Sequence, residues 1–182
     1  KTAVVIGGGM GRSQEVQEVI LDYLEQISTP CVIDADAIYA VAKKPGVIAG
    51  KNFLLTPHRH EFFVLTGKEV PIEKSEKEKI KLVQEAAGRL GTTILLKGAV
   101  DIISNGKEVA LNKTGSPFLS VGGLGDTLAG IAGALICRNT NAFEVAQAAA
   151  FINGLAGELA AKKMGESLMA TDLIDAIPRA IK

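Results

Sequence analysis

The sequence predicts an α/β protein, a mostly parallel sheet with helices on both faces. Three observations carry this. Short apolar, β-branched runs alternate with segments of helical period, the order that builds a parallel sheet. Those runs are apolar throughout rather than at every second residue, so both faces of each strand are expected to be covered. Towards the C-terminus lie two Ala-rich helical segments with little charge in their middle stretches, and helices this apolar are buried on more than one side.

The elements follow in order. "TAVVIGGGMG" is a buried strand that stops in glycines. "SQEVQEVILDYLEQI" spaces Val16, Val19, Ile20, Tyr23, Leu24 and Ile27 helically, with Ser13 as N-cap. "PCVIDADAI" is a second strand ending in two carboxylates, and "NFLLTPH" a third. "SEKEKIKLVQEAAGRLG" is an amphipathic helix stopped by Gly91, and "TTILLKG" a fourth strand. "DIISNGKEVAL" sets Asn-Gly between β-rich runs, a hairpin signal. The two Ala-rich helices are "GLGDTLAGIAGALICRN" and "AFEVAQAAAFINGLAGELAAKKMG". A last helix, "TDLIDAIPRAI", is expected to be capped by Thr171 or Asp172 and broken or bent near Pro178.

The bulk numbers narrow the function. A length of 182 residues fits one domain, 1–182, and 47% hydrophobic with 22% charged residues is a globular profile. Lys plus Arg and Asp plus Glu both number 20, so the basic excess of a nucleic-acid binder is absent and self-association is weakly favoured. Cys31 and Cys137 sit in apolar runs and are expected to be reduced, buried small hydrophobes. No apolar run is long enough for a bilayer. These features predict a cytoplasmic protein with no nucleic-acid or membrane partner.

In a parallel sheet ligands bind beyond the carboxyl ends of the strands. Gly7 to Gly11, Asp34, Asp36, Thr56 to Glu61, Lys97 and Gly98 should therefore face one crevice. The sharpest signal is "SVGGLGDTLAG", in which Gly122, Gly123 and Gly125 lead into a helix. First-turn N–H groups and the helix dipole attract an anion there, and glycine lets it approach. Asp126, in that first turn, is either a base taking a proton from a hydroxyl that attacks a bound phosphate or an ordinary helix cap. Lys97 either pairs with a phosphate or ribose hydroxyl or is a solvated sheet-edge Lys. Asp34 and Asp36 could hold hydrated Mg²⁺ or a sugar hydroxyl, and Asp36 equally serves to cap "AIYAVAKK". His58, His60 and Glu61 lack a further ligand at zinc spacing. No P-loop is present.

Together "VIGGGMGRS", "VIDADAI", "LTPHRHEFFVLTG", "ILLKGAVDIIS" and "NKTGSPFLSVGGLGDTLAGI" resemble, in this order, the signature segments of the ADP-dependent NAD(P)H-hydrate dehydratases of the ribokinase-like superfamily. The resemblance covers essentially the whole chain. It implies that ADP, or ATP, with Mg²⁺ phosphorylates the ring hydroxyl of hydrated NADH or NADPH, and that phosphate then leaves. It implies Asp126 as the catalytic acid/base. Lys97, Gly98, Ala99, Val100 and Asp101, with Gly122, Gly123 and Gly125, would take the adenine nucleotide. Gly9, Gly11, His58 and Glu61 would take the hydrated dinucleotide. A homo-oligomer, often a tetramer, is also implied.

The chain departs from that pattern at Gly8, where the family has Pro, at Arg59 and His60, where Pro-Gly is frequent, and at Leu124, in place of Thr. Family members also have further elements before the segment matching "AVVIGGGMG", so the family's N-terminal part is expected to be missing here. Two other readings stand beside this one: a vitamin-pathway small-molecule kinase of the same superfamily, and a non-catalytic nucleotide sensor.

Overall fold

A computed structural model describes residues 2–71, 73–138 and 141–182. Its strands are β1 (Val4–Ile6), β2 (Cys31–Ile33), β3 (Phe53–Leu55), β4 (Thr93–Leu96), β5 (Asp101–Ser104) and β6 (Val109–Asn112). Its helices are α1 (Gln14–Gln26), α2 (Asp36–Lys43), α3 (Arg59–Thr66), α4 (Glu76–Leu90), α5 (Leu124–Ile136), α6 (Ala142–Met164) and α7 (Ala170–Ala180).

The six strands lie side by side in chain order, β1 to β4 parallel and the β5–β6 hairpin antiparallel. Strand order that never reverses sends every right-handed crossover to one side of the sheet. Helices α1 to α4 therefore share one face, where Ile20, Leu24, Ile38, Phe62 and Val83 pack on Ile33, Phe53, Leu55 and Ile94. The opposite side chains, Val32, Leu54, Leu95 and Ile103, need another cover. They receive the two Ala-rich helices, through Leu128, Ala132 and Ile136 of α5 and Val145, Ala146 and Ala149 of α6. Helices thus cover both faces, and the apolar character of α5 and α6 is satisfied within the chain. Short Ala and Gly side chains let α6 lie close to the sheet, and α7 packs against it through Leu173 and Ala176.

Local signals account for most boundaries. Ser13 caps α1 by accepting from the Val16 amide, and Ser75 with Glu78 forms a capping box on α4. Gly91 ends α4 in the left-handed conformation. The hairpin expected at Asn-Gly is present as β5 and β6, with the pair opening a four-residue connection, 105–108, in which Asn105 Oδ1 accepts from the amides of Lys107 and Glu108. Three expectations need correction. Helix α3 has no counterpart among the elements expected between "NFLLTPH" and "SEKEKIKLVQEAAGRLG", because its N-cap is His58, outside the usual Ser, Thr, Asp and Asn. Helix α7 begins after Met169, whose amide donates to Asp172 Oδ2 at 2.8 Å, and Pro178 sits inside the helix without ending it. Finally, only Cys31 is buried. Cys137 is exposed at the end of α5.

Candidate functional site

The carboxyl ends of β1 to β4 open into one crevice, as the strand polarity requires. Gly7 follows β1 with φ +129°, and a Cβ there would fall on the Asp34 carbonyl oxygen, so only glycine lets the two strand ends close up. After β2, Ala35 takes φ +47°, the one positive φ among described non-glycine residues. That turn sends the flanking carboxylates to different places. Asp34 is buried, and its Oδ1 accepts from Thr56 Oγ1 at 2.7 Å and from Lys97 Nζ at 2.9 Å. Asp36 accepts from the Gly11 amide at 2.9 Å and from Arg12 Nε at 2.6 Å, which ties down the end of the glycine loop. The Arg12 bond, and then the Gly11 bond, hold the Asp36 carboxyl below the ordinary aspartate range. The expectation that Asp36 caps α2 is corrected: Ala35 is the N-cap and no side chain caps that helix.

Lys97 is the hub. Its Nζ also lies 3.9 Å from Glu61 Oε2, and both carboxylates are about 5% exposed. Two buried carboxylates so near each other need a shared cation. The reading of Lys97 as a solvated sheet-edge residue therefore falls, and the roles of Asp34 and Asp36 in holding hydrated Mg²⁺ meet carboxylates already engaged. Among the described residues no group of three His, Cys, Asp or Glu could hold a metal ion.

His58 is occupied locally. Its Nδ1 accepts from the His60 and Glu61 amides, its backbone N–H donates to Glu61 Oε2 at 2.8 Å, and its Nε2 lies 3.3 Å from Glu61 Oε1. An Nδ1 that accepts two N–H groups carries no proton, so the proton of the neutral ring sits on Nε2, towards Glu61. The imidazole is still half exposed at the rim of the crevice.

Helix α5 starts from Gly123 with φ +89° and no side-chain cap. Its first-turn N–H groups are left open to an anion. Asp126 is exposed and takes no hydrogen bond or ion pair among the described residues, so the capping role is not the one it plays. Its Oδ1 lies 3.0 Å from where a Cβ on Gly8 would stand, which sets the carboxylate against the loop after β1. A Cβ on Gly125 would stand 3.4 Å from Lys97 Nζ and 3.8 Å from Asp34 Oδ2, so the hub adjoins the same helix terminus.

Beside that terminus lies a cavity of about 600 Å³, ample for a nucleotide. Of the expected nucleotide residues it is lined by Lys97, Gly98, Ala99, Asp101 and Gly125, whereas Val100, Gly122 and Gly123 are not in its wall. Asp101 braces the turn after β4, accepting from the Gly98 amide and Asn112 Nδ2, and burial raises its pKa. Sequence reasoning missed the other wall, residues 113–117 with Leu119 and Ser120, together with Asn153 and Gly154. The signal was present in "NKTGSPFLS": Gly115 donates to Glu158 Oε1 at 2.8 Å, which straps this loop to α6. Gly9, Gly11, His58 and Glu61 do not line this cavity; Glu61 meets Lys97 of its wall, and Asp126, one residue beyond Gly125 of the wall, lies against Gly8.

A parallel α/β sheet whose carboxyl edge combines an uncapped, glycine-led helix terminus, an unengaged carboxylate and a nucleotide-sized cavity defines a protein of the ribokinase-like class. A solved ribokinase-like superfamily protein from Enterococcus faecalis matches 98% of this chain with TM-score 0.83 and 28% identity, over 62% of its own length. The NAD(P)H-hydrate dehydratase family model matches residues 1–179. The chain belongs to that family. It is 42% identical over 181 residues to a bifunctional NAD(P)H-hydrate repair enzyme from Pyrobaculum aerophilum, covering 98% of this chain and 35% of that protein. It also resembles an ADP/ATP-dependent NAD(P)H-hydrate dehydratase from Bacillus subtilis crystallised with ATP and Mg²⁺, at 30% identity and TM-score 0.81, covering 99% of this chain and 64% of that one. The chain thus spans about a third of the bifunctional relative and less than two thirds of either solved structure. No helix among the described residues is long and apolar enough to cross a membrane.

Proposed function

We propose that this chain, residues 1–182, carries the catalytic face of a dehydratase that restores hydrated NADH or NADPH at the expense of ADP or ATP. One observation carries the reading. The free carboxylate of Asp126 stands between the loop at Gly8 and the anion-binding start of α5, next to a nucleotide-sized cavity. Within the family assignment, that junction is where a ring hydroxyl and a terminal phosphate would meet.

The residues then take these roles. The hydrated nicotinamide ring lies over Gly8 to Gly11, with His58 and Glu61 at its rim. The nucleotide fills the cavity along Lys97 to Asp101, and its terminal phosphate meets the amides around Gly122, Gly123 and Gly125. Mg²⁺ bound to the polyphosphate would supply charge neutralisation there, with no side-chain cluster of this chain needed to hold it. Asp126 accepts the hydroxyl proton as that oxygen attacks the terminal phosphorus, breaking the bond to the rest of the nucleotide. The α5 amides and Lys97 stabilise the transferring charge. Phosphate then leaves with the ring C–O bonding pair, a ring C–H proton is lost, and the ring double bond re-forms. A reduced-dinucleotide substrate and two unpaired cysteines fit a cytoplasmic setting. The zero formal net charge fits assembly into a homo-oligomer, which sedimentation velocity checks.

The test is direct: hydrated NADH is mixed with the protein, ADP and Mg²⁺, and the absorbance of reduced nicotinamide is followed. Recovery that requires ADP, with AMP and phosphate formed in equal amounts, is the expected result. Phosphate formation without recovered NADH would contradict the proposal. In that case a panel of vitamin-pathway alcohols tests the kinase reading.

A further inference from the structure

The rim of the crevice beyond the glycine loop carries groups that the mechanism leaves unused. Arg12 lays its guanidinium carbon 3.7 Å from the centroid of the Tyr39 ring, held there by its Nε bond to Asp36. The Tyr39 ring stands 6.5 Å from that of His60, which lies 6.3 Å from His58 in stacked orientation and 6.4 Å from Phe63. The loop before α1, helix α2 and the start of α3 thus contribute to one wall. Both histidines of the chain and one of its two tyrosines meet here, a concentration that core packing does not require. His58, His60 and Phe63 are exposed, so the wall faces solvent. His58 is engaged as a helix cap, but the His60 ring forms no hydrogen bond among the described residues. The terminal amino groups of Arg12 likewise hold no partner there. The nearby carboxylates, Asp36 and Glu61, are engaged by Arg12 and Gly11 and by His58 and Lys97.

We infer that this wall binds the adenosine half of the hydrated dinucleotide, an inference that rests on the dehydratase reading. Asp126 lies against Gly8, which fixes where the reacting ring must sit. From there the loop runs through Gly9 and Gly11, where an added Cβ would meet nothing within 4 Å, to Arg12. A pyrophosphate following that open backbone reaches the free amino groups of Arg12. The purine beyond it reaches the ring wall at His60 and Tyr39. Aromatic and guanidinium planes stack on a base of any identity. The cavity proposed for ADP has none of Arg12, Tyr39 and His60 in its lining, so the two adenines occupy different surfaces.

The test compares kcat/KM on hydrated NADH with that on hydrated reduced nicotinamide mononucleotide, which lacks adenosine, at saturating ADP. The parent and the Tyr39→Leu/His60→Ala double variant are used, with melting temperature as the check on folding. Losing one stacked base should cut the preference for the dinucleotide roughly ten-fold, in KM rather than kcat. An unchanged preference overturns the inference. An equal loss on both substrates also overturns it, because the wall would then serve the nicotinamide half or the fold. If the parent turns over neither substrate, the dehydratase reading fails and binding decides the wall separately. With AMP saturating, NADH followed by fluorescence should bind the double variant roughly ten-fold more weakly than the parent, while ADP binds both equally. Equal NADH affinity, or no NADH binding to the parent, overturns it.

Discussion

At the scale of single residues, the site is decided by which charges are already engaged. Asp34, Asp36 and Glu61 all have partners within the protein, and Asp126 has none among the described residues. The Asn substitution at 126 removes the proton acceptor and little else. Turnover of Asp126→Asn should fall by roughly 10²–10⁴-fold, the usual worth of a general base. Stability should change by no more than the roughly 0.3–1 kcal/mol of a charge at a helix N-terminus. Steady-state assays and urea unfolding measure both, and near-normal turnover would sink the assignment. Asp36 makes a prediction about pH. Its folded pKa is depressed, so its contribution to stability is present above the ordinary aspartate pKa and is lost as pH falls through the folded value. Below about pH 4 the parent should therefore lose stability more steeply than Asp36→Asn. Parallel acid limbs in the two proteins, followed by unfolding midpoints, would contradict this. The glycine pattern around Asp126 made that residue legible in the sequence. The Asp34–Lys97–Glu61 hub was not, since its members are 27 to 63 positions apart and nothing local links them.

At the scale of elements, the C-terminal helices do two jobs. Helix α6 covers the sheet, and it also receives the loop that walls the cavity. A Cβ on Gly154 would fall on Thr114 Oγ1, and one on Gly157 would fall within 2.5 Å of Leu119 Cδ1. Helix propensity alone would make Gly154→Ala stabilising by roughly 0.5–1 kcal/mol. Overpacking, which costs about 1–3 kcal/mol, should win. The variant should melt lower and bind ADP more weakly, because the wall of the cavity must move. A higher melting temperature with unchanged ADP affinity would show that the loop is free of the helix. Hydrophobic period made the long helices readable. The eight-residue α3 was not, because a histidine cap is rare and two turns hold too few apolar positions to show a period.

At the scale of the whole molecule, nucleotide binding should appear as global stabilisation. A ligand that binds only the folded state adds about 2.7 kcal/mol at a hundred times its Kd. For a chain of this size that corresponds to a rise in melting temperature of roughly 5–10 °C. ADP should produce it and adenosine should not, since the site proposed at the α5 terminus would recognise phosphate. Equal shifts from both, in a thermal melt, would place the affinity in the base alone. The absence of strand-order reversal also explains why the crevice lies where it does. With α1 to α4 on one face, α5 has to arrive from the other, and its N-terminus meets the strand ends at their carboxyl edge.

The sequence by itself determined the α/β class, the parallel strands, the glycine-led helix and its Asp126, and the set of strand-exit residues that share one edge. Strand and long-helix signals are local, repeated over several residues, and polarity then assigns every strand exit to the same side. The tertiary structure alone decided that Lys97 is a partly buried counter-ion, that His58 caps a helix, that Cys137 is exposed, and that Arg12, Tyr39 and His60 form one wall. Those outcomes depend on which distant side chains pack together in three dimensions. A charge or a ring acquires its role from that neighbourhood, not from its neighbours in the chain.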